Sequence, residues 1–100
     1  MIQSWMRSKN TMKFLRQWEL AENLHFNDTA CKELMQQART SSLTITPSLW
    51  VKRTNAIGIR ANQGKGGGVT AHSEIALDFH LWLDPKMRVT MMRMAGHPKV

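Results

Sequence analysis

The sequence predicts a small α+β domain, helical for the most part, in which a helix-turn-helix-like pair stands beside a β-hairpin wing. Three observations predict it. Two short runs of alternating apolar and polar residues flank a glycine-dense stretch, Gly64-Lys65-Gly66-Gly67-Gly68, which is the pattern of a hairpin and its tip. A capping side chain precedes proline twice, at Thr46-Pro47 and Asp84-Pro85, and each pair marks a helix start. The remaining segments repeat their apolar residues at helical spacing.

The first helix is read over residues 10–22, with Asn10 or Thr11 as cap and Phe14, Leu15, Trp18 and Ala21 on one side. Lys9, Lys13 and Arg16 fall opposite. Residues 23–27 form a connector, and Asp28 or Thr29 caps a helix over 29–39 whose inner face is Ala30, Leu34 and Ala38, with Met35 alongside. Thr40-Ser41-Ser42 interrupts the period, and Leu43-Thr44-Ile45 runs extended into the capping Thr46. In the short helix that follows, Trp50, Val51 and Thr54 cluster on one side. Ser48, Lys52 and Asn55, at spacing i, i+4, i+7, face the other way with Arg53 flanking. Two helices joined by a turn, the second with polar and basic groups outward, have the layout of a major-groove reader.

In the hairpin, Ile57, Ile59 and Ala61 alternate with Gly58, Arg60 and Asn62, and Val69 and Ala71 alternate with Thr70 and His72. An aligned register puts Arg60, Asn62, Thr70 and His72 on one outward face. The helix over 73–83 carries Ile75, Ala76, Phe79, Trp82 and Leu83 on one face and Leu77 and Leu81 on the reverse, so it is expected to be enclosed on more than one side. The last helix lines up Met87, Met91 and Met94 and ends at Gly96 and Pro98. A methionine stripe reads as adaptable core or as a docking face for a protein partner.

One hundred residues with fourteen basic and seven acidic side chains give a net charge of +7 and one modest core, so a single domain spanning 1–100 is expected. A sequence pI near 10.4 points to an anionic partner, with nucleic acid ahead of a membrane surface. No apolar run has signal-peptide or membrane-spanning length, and a cytoplasmic location is expected. The lone Cys31 reads as a buried thiol.

The glycine loop is not a nucleotide cradle of known pattern. Five residues separate Gly58 from Gly64, one more than a P-loop allows, and Gly66 follows Lys65 where a hydroxyl is required. A dinucleotide fingerprint needs a helix directly after its glycines, whereas Val69-Thr70-Ala71 intervene. His25, His72, His80 and His97 have no zinc-ligand spacing among themselves or with Cys31. His72 and Glu74 lack a nucleophile or a second carboxylate beside them, and the plainer reading of His72 is a hydrogen-bonding group at the start of a helix. The expectation is therefore a chain that is not an enzyme, with no catalytic residues, metal, cofactor or small-molecule substrate.

Several segments resemble the KilA-N domain of bacteria and phages: Trp5-Met6-Arg7, Lys9-Asn10-Thr11, Phe14-Leu15, Trp18-Glu19, Leu43-Thr44-Ile45-Thr46-Pro47, Trp50, and Thr54-Asn55-Ala56-Ile57-Gly58-Ile59. The run Gly67-Gly68, Ala71-His72, Ile75-Ala76-Leu77-Asp78-Phe79, Trp82 and Pro85 resembles that family's best-marked block. The resemblance implies a DNA-binding module of phage or prophage origin, related in fold to the fungal APSES domain, with a regulatory or accessory role. That family has extended segments upstream of the Trp-Met-Arg run, so the resemblance also implies an N-terminally truncated domain. It assigns Lys52 and Asn55 to the second helix of the pair, and Arg60, Lys65 and His72 to the hairpin and its exit.

The expected partner is double-stranded DNA. Lys13, Arg16, Lys52, Arg53, Arg60 and Lys65 are the expected phosphate contacts, with His72 at the hairpin exit, and Ser48, Lys52 and Asn55 the expected base contacts. The alternatives are a protein-interaction module docking through Met87, Met91 and Met94, a non-functional domain remnant, or a nuclease, for which a carboxylate cluster is lacking.

Overall fold

The computed structural model describes residues 2–62 and 68–95. They form six helices and a two-stranded antiparallel hairpin: α1 (Ile2–Arg7), α2 (Lys9–Glu22), α3 (Asp28–Thr40), α4 (Pro47–Thr54), β1 (Ile59–Asn62), β2 (Gly68–Ala71), α5 (Ser73–Leu83) and α6 (Pro85–Ala95). The fold is α+β.

Local chemistry places most of the helix starts. Thr46 is extended and its hydroxyl accepts the Leu49 N–H at 3.1 Å, with Pro47 at the first helical position, as the sequence predicts. Two caps differ from expectation. Ser8, not Asn10 or Thr11, caps α2, accepting the Thr11 N–H at 3.4 Å. Asn27, not Asp28 or Thr29, caps α3 by accepting the Ala30 N–H at 3.0 Å, which leaves the Asp28 carboxylate free for a lateral partner. α1 was not predicted. Six residues are too few to hold a helix by propensity, and tertiary contact supplies the rest: Trp5 and Met6 are buried, and Trp5 Nε1 donates to Asp78 Oδ2 at 3.0 Å on α5. The Trp5 ring also meets Phe79 edge-on, with centroids 5.3 Å apart.

The core gathers around Trp50, Leu15, Leu34, Cys31, Ile59 and Ile75, all essentially without solvent exposure. The buried face of α2 is Thr11, Met12, Leu15 and Glu19. Ala21, assigned inward from the sequence, is exposed, because that face is rotated toward Glu19. α4 packs on α3 and on β1, so the helix pair and the hairpin are one packed unit. The strand register is Ile59↔Ala71, Arg60↔Thr70, Ala61↔Val69 and Asn62↔Gly68, which sets Arg60 opposite Thr70.

α5 departs from its expected enclosure. Ile75 is its one buried residue, while Leu77, Trp82 and Leu83 are 41, 39 and 36% exposed. The sheet has only two strands, β2 is exposed throughout, and α6 covers α5 on a single side. No residue of α6 is buried among the described residues. The expected helix stops Gly96 and Pro98 lie outside the described residues.

Candidate nucleic-acid interface

Lys52 and Arg53 sit in the last turn of α4, exposed, with no salt bridge to a carboxylate among the described residues. Ser48, at the start of the same helix, is exposed as well. The helix presents these side chains because Trp50 and Thr54 face inward: Trp50 packs on Phe26 with ring centroids 5.8 Å apart, and Thr54 Oγ1 donates to the Trp50 carbonyl at 2.6 Å. Arg60 is exposed on β1 directly opposite Thr70. Since α4 packs on β1, Lys52, Arg53 and Arg60 belong to adjoining elements. Cations in the last turn also offset the negative end of the helix, a modest structural use for Lys52 and Arg53.

Three expected contacts are used differently. Arg16 is engaged by Asp28 through two hydrogen bonds, Nε to Oδ1 at 2.6 Å and Nη2 to Oδ2 at 2.9 Å, with both side chains about three-quarters buried. The Asp28 hydrogen bond raises the guanidinium pKa, and Arg16 in turn holds the Asp28 carboxyl below its usual range. This bidentate pair joins α2 to α3 and leaves Arg16 poorly placed for a phosphate. Asn55 is not on the outward face of α4. The helix ends at Thr54, and Asn55 caps it in the left-handed conformation, φ 58° and ψ 34°, which asparagine tolerates. Its side-chain amide donates to the His25 carbonyl at 3.0 Å. The i, i+7 spacing failed because the helix stops one residue short of it.

His72 is the cap of α5: Nδ1 accepts the Glu74 N–H at 3.1 Å, and the ring lies against Trp18 with centroids 5.0 Å apart. It is structural first, which follows from its position one residue before the helix. Lys65 lies outside the described residues. Lys13 is exposed on α2, and the structure groups it with Arg7, Lys9 and Arg39 around a groove rather than with α4.

The residue that sequence reasoning missed is Glu19. Its carboxylate, 1% exposed, accepts hydrogen bonds from the backbone N–H groups of Ile57 and Gly58, at 3.1 and 2.8 Å, and from Asn23 Nδ2 at 2.9 Å. The same Asn23 amide donates to the Asn55 carbonyl. Glu19 thus fixes the chain between the end of α4 and the start of β1, and so sets where Lys52, Arg53 and Arg60 stand relative to one another. A signal was present: Glu19 lies four residues after Leu15 and eight after Thr11, on the inward face of α2.

Among the described residues no three His, Cys, Asp or Glu side chains gather closely enough to hold a metal ion, and no helix is long and apolar enough to cross a membrane. No protein-family profile, curated protein or solved structure matches the chain.

Proposed function

We propose that the protein binds double-stranded DNA through α4 and the hairpin beside it, as a KilA-N-like module with an APSES-related fold and a regulatory or accessory role in a phage or prophage. One observation carries this reading. Lys52, Arg53 and Arg60 are exposed and, among the described residues, form no salt bridge to a carboxylate, on two elements packed against each other in a chain of net charge +7. Cations displayed by a rigid frame neutralise successive phosphates without first being ordered, and the ions released by the duplex drive association. Base contacts would fall to Ser48 and Lys52. Arg16 and Asn55 are left out of this reading, because Arg16 Nε and Nη2 are held by Asp28 and Asn55 Nδ2 by the His25 carbonyl.

Titrating the chain with a mixed-sequence duplex over a series of salt concentrations tests the proposal. Affinity falls steeply and linearly in the logarithm of salt concentration if several phosphates are neutralised. Absent binding at low salt, or binding indifferent to salt, overturns it.

A second reading, a protein-interaction surface, is favoured by α6. Of the expected stripe, Met87 and Met94 are 45 and 71% exposed and Met91 is half-buried, while Val89 and Met92, 49 and 57% exposed, widen the apolar surface of a helix with no buried residue of its own. Self-association is its simplest form. Light scattering over a concentration series detects it as a rise in mass that Met92→Gln with Met94→Gln abolishes, and a monomer at every concentration removes it.

A further inference from the structure

Away from α4 and the hairpin, a groove of about 750 Å³ opens between the junction of α1 and α2 and the end of α3, closed on one side by residues 41–45. Its polar edge carries four cations, Arg7, Lys9, Lys13 and Arg39, and no carboxylate lines it among the described residues. None of the four makes a salt bridge among the described residues. Its apolar lining includes Met6, Met12, Met35 and Ile45, of which Met6, Met12 and Ile45 are buried core residues and Met35 is half-buried. Ser42 and Thr44 add hydroxyls.

We infer that this groove binds a small amphipathic anion, a phosphate-type head group carried on an apolar body. Four like charges gathered around one concavity repel one another, and an anion seated among them removes that cost. Four cations suit a doubly charged head better than a single carboxylate. The half-buried apolar side chains of the lining decide against a bare anion and against duplex backbone. Phosphate alone would leave the half-buried Met35, Ala38 and Leu43 wet, whereas an apolar body covers them, and a thioether side chain adapts to irregular shapes. The volume falls within the range of small-molecule sites. Lys13 is also among the phosphate contacts expected from the sequence, but Lys9 and Arg39 belong to the groove alone, so the two sites can be tested apart.

The test titrates naphthyl phosphate, naphthol and inorganic phosphate separately into the full chain, with methionine methyl resonances as reporters. Naphthyl phosphate is expected to shift the methyl signals of Met6, Met12 and Met35 while those of Met87, Met92 and Met94 on α6 stay in place. Lys9→Gln combined with Arg39→Gln, both at exposed positions, should weaken it roughly tenfold or more while leaving the thermal midpoint and the weak binding of naphthol unchanged. The inference is overturned if naphthol binds as tightly as naphthyl phosphate, if inorganic phosphate does so, if the α6 methyls respond instead, or if the double variant binds as the wild type does. Duplex binding is read in a separate titration, so failure of either site leaves the other standing.

Discussion

The Glu19 carboxylate holds the backbone N–H of Gly58 at 2.8 Å, across 39 residues of sequence and in the absence of solvent. One oxygen pair serves Ile57, Gly58 and Asn23 together, so a single buried carboxylate orders the chain segment that runs from α4 to β1. Acceptor capacity explains the choice of residue: a carboxylate is all acceptor and meets only donors here.

Replacing Glu19 by Gln keeps the shape but turns one oxygen into a donor that faces other donors. The expected loss of stability is roughly 2–4 kcal/mol, from weakened charge-assisted bonds plus an unsatisfied buried N–H. Urea denaturation measures it. An unchanged midpoint would show that the carboxylate is dispensable to the fold.

Gly58 leaves no room for a side chain. A Cβ there would meet Ile75 Cδ1, a Trp18 ring carbon at 2.8 Å and Glu19 Oε2 at 2.9 Å. Gly58→Ala should therefore destabilise by about 1–3 kcal/mol through overpacking. Wild-type stability in that variant would mean that the three side chains yield freely.

The Arg16–Asp28 pair makes stability depend on acid. Asp28 has a folded-state pKa lowered chiefly by its hydrogen bond to Arg16, so its contribution is complete above the ordinary carboxylate value and disappears as pH falls through the lower folded value. Denaturation at a series of acidic pH values should show a shallower acid limb for Asp28→Asn than for wild type. Identical acid limbs would contradict the coupling.

Burial pushes the Cys31 thiol up to about 11. At neutral pH the native thiolate is then on the order of a hundredfold scarcer than in a free cysteine, before steric protection is counted. Iodoacetamide should label Cys31 slowly in buffer and rapidly once urea unfolds the chain. Fast labelling of the native protein would show that the α3 core opens readily.

The sequence announced features that depend on near neighbours. Thr46-Pro47 placed the start of α4, the alternation about the glycine stretch marked the two strands of the hairpin, and helical spacing marked Leu34 and Trp50 as core. What escaped depends on distant partners. α1 exists because Trp5 reaches Asp78 and Phe79, and the roles of Arg16 and Glu19 are set by Asp28 and by Ile57 and Gly58. Asn55 was misassigned by extending a helical period one residue beyond its end, and α5 was expected to be covered because hydrophobicity alone does not say how many neighbours a helix has. Of the candidate interface, the exposure of Lys52, Arg53 and Arg60 was legible, while the link that fixes α4 against β1 was not.

The most direct test of DNA binding through α4 is the salt dependence of duplex affinity for Lys52→Gln combined with Arg53→Gln, measured beside the wild type with thermal melts of both. Two lost phosphate contacts should reduce the slope of log affinity against log salt by about 2, with weaker binding to every sequence and a nearly unchanged melting temperature. A folded double variant that keeps the wild-type slope would contradict the account.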